Sequence, residues 1–372
     1  MPELPEVETV RRGLEQRIIG RQILDIKILN KTSFAGSEPV KLIGARITAA
    51  RRRGKVLIID LDSGFSLLIH LKMTGQIIFR KDAIKGKGAV WDEDHTFRPG
   101  AMRENVVAPH ERSVNWGAGH PTNSFVNDLP DKSTRVVFAL SDFPKLSVSD
   151  PSVSETSYAG QPAEPSQATN LSVSSGIYVS DSEGEKSSPE SSGKSYAKLF
   201  FNDQRKFGWI KLVPTAKVEQ EDFICKLGPE ALADDPKLPA QFLNNVRRHN
   251  NTTIKSALLN QTVIAGIGNI YADESLWAAK VHPATRVRDL SDEKLEEILD
   301  CARKIMRKAI DYGGSTMGNY IKIDGSRGNY LEKFANVFRR NNQPCPRCNT
   351  TIIKTRVAGR GTHLCLKCQK YN

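Results

Sequence analysis

The chain has 372 residues, with 54 Lys and Arg against 42 Asp and Glu, for a formal net charge of +12. At roughly 150 residues per domain, that length supplies two or three folded units. No apolar run reaches the ~18 residues of a membrane-spanning helix, the start MPELPEVETV has no apolar signal core, and six cysteines in so long a chain exclude a disulfide scaffold; the cytosol is therefore the expected compartment. In chain order, Val7, Val10 and Leu14 share one face of a short helix over residues 5–16, with Glu6 and Glu8 in its first turn. Apolar runs at 22–30, 43–51, 56–61, 65–71, 76–79, 136–140, 199–202 and 208–213 read as eight strands of a β-sandwich or barrel.

Two stretches interrupt the strands. Residues 81–130 have mixed composition and read as a loop. Residues 147–195 hold 16 serines, seven acidic and two basic residues, and read as disordered. The positive excess is thus concentrated elsewhere. Residues 335–372 alone carry eight Lys and Arg and no acid, which points to a polyanion such as nucleic acid. From about Glu221 the period turns helical: 239–249, 253–260 and 271–280 are helices, and 292–312 is the clearest. There Leu295, Ile298, Leu299, Ala302, Ile305, Ala309 and Ile310 make one stripe between an N-cap at Ser291 and Gly313. Residues 313–330 are a Gly- and Asn-rich loop.

Three constellations carry chemistry. Cys345-x2-Cys348 and Cys365-x2-Cys368, joined by a hairpin, bring four thiolates around one structural Zn²⁺ with no position left for substrate. Arg356 and Arg360 stand near the hairpin tip, where they either reach a phosphate or are simply solvated. Cys225 and Cys301 read as small core residues. At the other end, removal of Met1 would leave Pro2 with a secondary amine of pKa about 8, able to form an imine with a sugar aldehyde. Glu3 and Glu6 lie within a turn of it, and a buried one could serve as general acid. Taken alone, Pro2 reads as an ordinary processed terminus. Third, Gly266-Ile267-Gly268-Asn269 joins two helices; exposed amides there, with Asn269 and Lys255, form a phosphate site or else an αα-corner. By residue type alone Met73 and Phe207 belong to a core, and His70 is packed or bonded to backbone.

Together these pieces resemble the bacterial formamidopyrimidine-DNA glycosylase family. The matching blocks are PELPEVETVRRGL at 2–14, RRGKVLIIDL at 52–61, HLKMTGQI at 70–77, DQRKFGWIKL at 203–212, LGPEAL at 227–232, the segment 251–280 and the four-cysteine tail. The resemblance implies an α+β multidomain fold. A catalytic β-sandwich at 2–214 is interrupted by insertions at 81–130 and 144–195, the latter disordered. A helix–two-turns–helix domain with a lesion-recognition loop follows at 221–330, then a zinc-finger β-hairpin at 335–372. It further implies a monomeric base-excision repair enzyme, cytoplasmic and nucleoid-associated, acting on double-stranded DNA. Such an enzyme removes 8-oxoguanine and formamidopyrimidines and nicks the strand by β,δ-elimination. In that reading Pro2 is the nucleophile, Glu3 the acid that assists sugar opening and Glu6 a supporting carboxylate. Lys55 serves phosphate contact and β-elimination, Arg360 phosphate contact and δ-elimination. Lys255 and Asn269 are phosphate ligands, Glu274 lies near the flipped base, and Met73, Arg205 and Phe207 fill the hole left by the extruded nucleotide. The family's Lys-His-x-His run is replaced by Lys132-Ser133-Thr134-Arg135, where Arg135 offers a phosphate contact, and Asn250 and Asn251 stand in place of basic residues. Two rival readings are an endonuclease VIII-type enzyme for oxidised pyrimidines and a non-catalytic binder of damaged DNA. The PELPEVET start and LGPEAL favour the purine enzyme.

Overall fold

In a computed structural model the description covers residues 2–36, 38–81, 115–119, 129–142, 197–314 and 330–371. The expected disorder at 144–195 and nearly all of the 313–330 loop lie outside it. Helix α1 (Leu4–Ile18) is followed by β1 (Ile23–Ile28), β2 (Phe34–Ala35), β3 (Ile47–Arg53), β4 (Val56–Leu61), β5 (Phe65–His70) and β6 (Gly75–Lys81). Then come β7 (Asn115–Gly119), β8 (Thr134–Leu140), β9 (Ala197–Asp203) and β10 (Trp209–Pro214). They form two five-stranded sheets, in order β1-β8-β9-β6-β7 and β2-β10-β5-β4-β3. Pairing is antiparallel apart from β2 with β10.

Alternation sets what each sheet buries. Leu57, Ile59, Leu67 and Ile69 turn inward to meet Ile77, Phe79, Phe138, Leu199 and Phe201 of the other sheet. Val56, Ile58 and Leu68 point the opposite way, onto Val213, Val218 and Ile224. Burial on both faces explains why VLIIDL is a continuous apolar run. The loop expected across 81–130 is corrected at β7, which pairs with the edge of β6. Its Trp116 ring lies where a Cβ on Gly13 of α1 would be, 2.1 Å away, and the Arg17 guanidinium sits 5.2 Å above that ring. The strand expected from Ile43 begins at Ile47; the residues before it, Pro39–Leu42, form a 3-10 turn started by the proline.

The helical part contains α2 (Asp222–Cys225), α3 (Leu238–Arg247), α4 (Ile254–Leu259), α5 (Asn269–Ala278), α6 (Asp292–Asp311) and α7 (Tyr330–Phe334). Ser291 caps α6 by accepting the Lys294 N–H. Its buried stripe runs Leu295, Ile298, Leu299, Ala302, Met306, Ala309, with Ile305 and Ile310 half-buried beside it. Helix α5 is buried on nearly every side, Asp273, Glu274 and Ser275 included. Leu4, from the first turn of α1, belongs to this helical core and not to the sandwich. The hairpin β11 (Ile353–Val357) and β12 (Arg360–Leu364) ends the chain. All of these residues fall in one compact unit spanning 1–142 and 195–372.

Candidate active site and nucleic-acid interface

The N-terminus is threaded into the helical part. Leu4 N–H donates to the Gly266 carbonyl at 3.1 Å. The Glu3 carboxylate takes the Ile270 N–H at 2.9 Å and the Tyr271 N–H at 3.4 Å, so it occupies the positive end of α5. Glu6 accepts the Glu3 N–H at 2.7 Å and the Tyr271 hydroxyl at 2.7 Å. Both glycines of the Gly-Ile-Gly turn are there to admit this segment. A Cβ on Gly266, whose φ is +109°, would lie 2.3 Å from Leu4, and one on Gly268 would lie 2.2 Å from the Glu3 carboxyl carbon. Gln261 fixes the turn by accepting the Gly266 N–H and donating to the Ile267 carbonyl. Burial is the main cause that pushes Glu3 up to about 7, and Glu6 adds to it, against the pull of Lys55 and the Ile270 amide. A carboxyl beside a candidate amine is therefore about half protonated at neutrality.

Lys55 enters from the turn between β3 and β4 and donates to the Ile267 carbonyl at 2.8 Å. It is buried, which pulls its ammonium below the usual lysine range, opposed by Glu3 and Glu6. The turn is clamped from behind. Arg52 bonds to Glu8 of α1 and to Glu230, and Glu230 also accepts the Gly54 N–H at 2.7 Å. LGPEAL thus supplies the carboxylate that holds the Lys55 hairpin to the helical part. His70 is both packed and backbone-bonded: its Nδ1 accepts the Lys72 N–H at 2.9 Å, and its ring meets Phe223 edge-on at 5.2 Å. Burial, with Lys72 and Lys55 nearby, lowers it to about 3, so it is neutral with its proton on Nε2.

Met73 and Phe207 are not core residues: they are 41% and 54% exposed. Arg205 joins them, with a guanidinium nitrogen 3.3 Å from the Met73 sulfur and its Cζ 5.2 Å from the centre of the Phe207 ring. The buried Asp203 carboxylate builds the turn beneath by accepting the N–H groups of Arg205 and Gly208 and the Thr74 hydroxyl. A thioether, a guanidinium and an aromatic ring projecting together from two adjoining turns, β5–β6 and β9–β10, suit insertion into a base stack.

At the other end, three cysteine sulfur pairs lie 3.9, 3.4 and 3.4 Å apart, and all four sulfurs fall within 4.8 Å of one another. Tetrahedral zinc with bonds of about 2.3 Å sets sulfurs about 3.8 Å apart, so the residues fit one structural ion. Among the described residues, Val337 and Ile352 join the sulfurs in that small core, with Trp277 against it. Arg360 is exposed just past the hairpin tip, where Ala358 and Gly359 both have positive φ. Its charge reaches both Lys55 and Lys255.

Several expected ligands sit elsewhere. Lys255 is fully buried, and its ammonium donates to Asp273 (2.6 Å), the Thr362 hydroxyl (2.7 Å) and the Gly361 carbonyl (3.1 Å). All three of its protons are used by protein acceptors. Glu274 is likewise engaged by the protein. It is buried, and its carboxylate accepts the N–H groups of Asn336, Val337 and Phe338, closing the entry to the finger instead of facing a base. Arg135 is buried too, with Nε donating to the Asp203 carbonyl at 2.8 Å beneath the exposed trio. The Ile270 and Tyr271 amides expected to receive phosphate are taken by Glu3, and Asn269 donates its side-chain amide to the Gly361 carbonyl. Cys225 is exposed, not core, whereas Cys301 packs half-buried on the helical core. Glu230, Tyr271 and Gln261 were not anticipated. Their partners lie up to 265 residues away or turn on backbone geometry, which spacing does not reveal.

Family models match in three places. They are the formamidopyrimidine-DNA glycosylase N-terminal domain over residues 1–153, the H2TH domain of the same glycosylase over 227–320, and a zinc finger found in FPG and IleRS over 342–370. The formamidopyrimidine-DNA glycosylase of Streptococcus thermophilus is 31% identical over 378 residues, covering 100% of each chain. The chain belongs to the formamidopyrimidine-DNA glycosylase family. A second Fpg relative, from Ligilactobacillus salivarius, is 30% identical over 372 residues, covering 99% of each chain. Among solved Fpg structures, one from Lactococcus lactis in complex with abasic-site DNA aligns at 27% identity and a TM-score of 0.67, covering 100% of each chain. A variant of that same Fpg, bound to DNA containing Fapy-dG, aligns equally well. As an Fpg-family member, the chain is a DNA-repair glycosylase that carries a zinc finger. No described helix is long and apolar enough to cross a membrane.

Proposed function

We propose that this protein excises oxidised purines from duplex DNA and then nicks the strand, with Pro2 as nucleophile and Glu3 as acid. The observation that carries this is the burial of Glu3 at the start of α5, which holds it up to about 7 one residue from Pro2. With Met1 removed, the Pro2 nitrogen attacks deoxyribose C1′ as the N-glycosidic bond breaks and the base leaves with a proton. Glu3 gives its proton to the ring oxygen as the C1′–O4′ bond opens, leaving an iminium between Pro2 and C1′. Loss of a C2′ proton expels the 3′ phosphate, and loss of a C4′ proton then expels the 5′ phosphate. Lys55 and Arg360 serve these eliminations and hold phosphate. Glu6 orients the Glu3 backbone. Met73, Arg205 and Phe207 take the place of the extruded nucleotide, offsetting a few kcal/mol of unstacking. In this reading the protein is a cytoplasmic, nucleoid-associated monomer with a sandwich at 2–214, a helical DNA-binding domain at 221–330 and a finger at 335–372.

The test is borohydride trapping on duplexes carrying one 8-oxoguanine opposite cytosine. A covalent adduct is expected that disappears in Pro2→Gly and in protein with a residue left before Pro2. Tight binding with no adduct overturns catalysis. Preference for thymine glycol overturns the purine assignment in favour of oxidised pyrimidines.

A further inference from the structure

The Lys255 ammonium makes a chain of contacts that ends at Arg360. It donates to the Thr362 hydroxyl, and that hydroxyl donates to the Arg360 carbonyl at 3.0 Å. The neighbouring Gly361 carbonyl accepts from both Lys255 and Asn269. On the far side, Asp273 of α5 pairs with Lys255 through Oδ1 and takes the His363 N–H on Oδ2 at 2.9 Å. Three consecutive residues after the exposed arginine, Gly361, Thr362 and His363, are thus gripped by α4 and α5. Lys255 and Asp273 themselves have no exposed side-chain surface. A buried ion pair is a poor source of net stability compared with apolar packing. It does fix direction, because each of the three Lys255 protons has its own acceptor and the two Asp273 oxygens face Lys255 and His363 separately.

We infer that Lys255 and Asp273 are positioning residues that set the reach of Arg360 and thereby the second elimination, and that Lys255 touches no phosphate. This rests on the proposed lyase chemistry. The two ideas separate cleanly: if wild-type enzyme forms no Schiff base, the lyase reading fails, whereas the clamp is judged by product ratio in enzyme that does trap.

The zinc-loaded full chain is assayed on abasic-site duplex, resolving the 3′ unsaturated aldehyde of β-elimination from the 3′ phosphate of δ-elimination. Asp273→Asn is expected to trap with borohydride within about twofold of wild type, yet to lower the δ to β ratio about tenfold, as expected for a small displacement of the acting group. Combined with Arg360→Ala it should add no further loss, since both act on one step. Hydrogen exchange at the Gly361–His363 amides should quicken in Asp273→Asn, a change that loss of the Arg360 side chain alone would not produce. Lys255→Met paired with Asp273→Leu replaces the ion pair by apolar groups. It should keep zinc and the fold while still showing the low ratio, so it decides the matter if a single variant unfolds. A normal ratio in that pair overturns the inference. It is also overturned if Lys255→Met alone weakens DNA binding and lowers the salt slope by about one, with Asp273→Asn binding as well as wild type or better.

Discussion

Glu3 owes its chemistry to its surroundings. Burial raises it from 4.5 to about 7, so the folded protein holds a proton there between those values that the unfolded chain has released. The corresponding stability is fully present below 4.5 and is lost as pH rises through 7. Glu3→Gln carries a permanently neutral group, so its melting temperature relative to wild type should climb from pH 5 to pH 8. Because excision needs Glu3 protonated, at about 7, and the Pro2 amine free, at about 8, its rate should peak between those two values and fall about tenfold per unit above pH 8. A flat difference in melting temperature across that range would contradict the assignment. At this scale the sequence was legible where residue type and local spacing suffice, as for the four cysteines. It did not reveal the protein partners of Lys255 and Glu274. A charged side chain in a phosphate-like context reads the same whether it meets DNA or a partner about 100 or 60 residues away.

Periodicity located most of the elements, because α6 buries one stripe and the sandwich strands alternate or are buried on both faces. It missed β7, whose Asn-Trp-Gly-Ala-Gly lacks β-branched residues and is held by pairing with β6 and by Trp116 on Gly13. The turn between α4 and α5 was legible as a turn but not in its purpose. Gly268 has an ordinary negative φ, so its side-chain hydrogen is required by the Glu3 carboxyl beside it and not by backbone strain. Gly268→Ala should therefore displace Glu3 and cost about a hundredfold in single-turnover excision, with the zinc content unchanged. Excision near the wild-type rate in a folded Gly268→Ala protein would show that Glu3 need not sit against this turn.

Over the whole molecule, the finger is the part least able to stand alone. Its core is four sulfurs with Val337 and Ile352, so the metal has to supply much of its folding energy. Dialysis against a strong chelator should melt the hairpin and release Arg360. Strand nicking should be lost while the sandwich keeps its cooperative unfolding transition, and calorimetry with an activity assay on the same sample would check both. Binding to any duplex should also weaken steeply with salt, since the residues outside the acidic serine-rich stretch at 147–195 carry a net charge of +17.

Leu4 packs among residues drawn from the second half of the chain, and the carboxyl next to it is held by amides at positions 270 and 271. During synthesis the leading segment leaves the ribosome first, yet it has nowhere to settle until some 270 residues have followed. At about 5–20 residues per second, that is a wait on the order of tens of seconds, in which the sandwich can close while its leading end stays loose. On the proposed reading of Pro2 as nucleophile, a methionine-trimming enzyme would meet an accessible substrate, and the amine would be made before the cleft that encloses it exists.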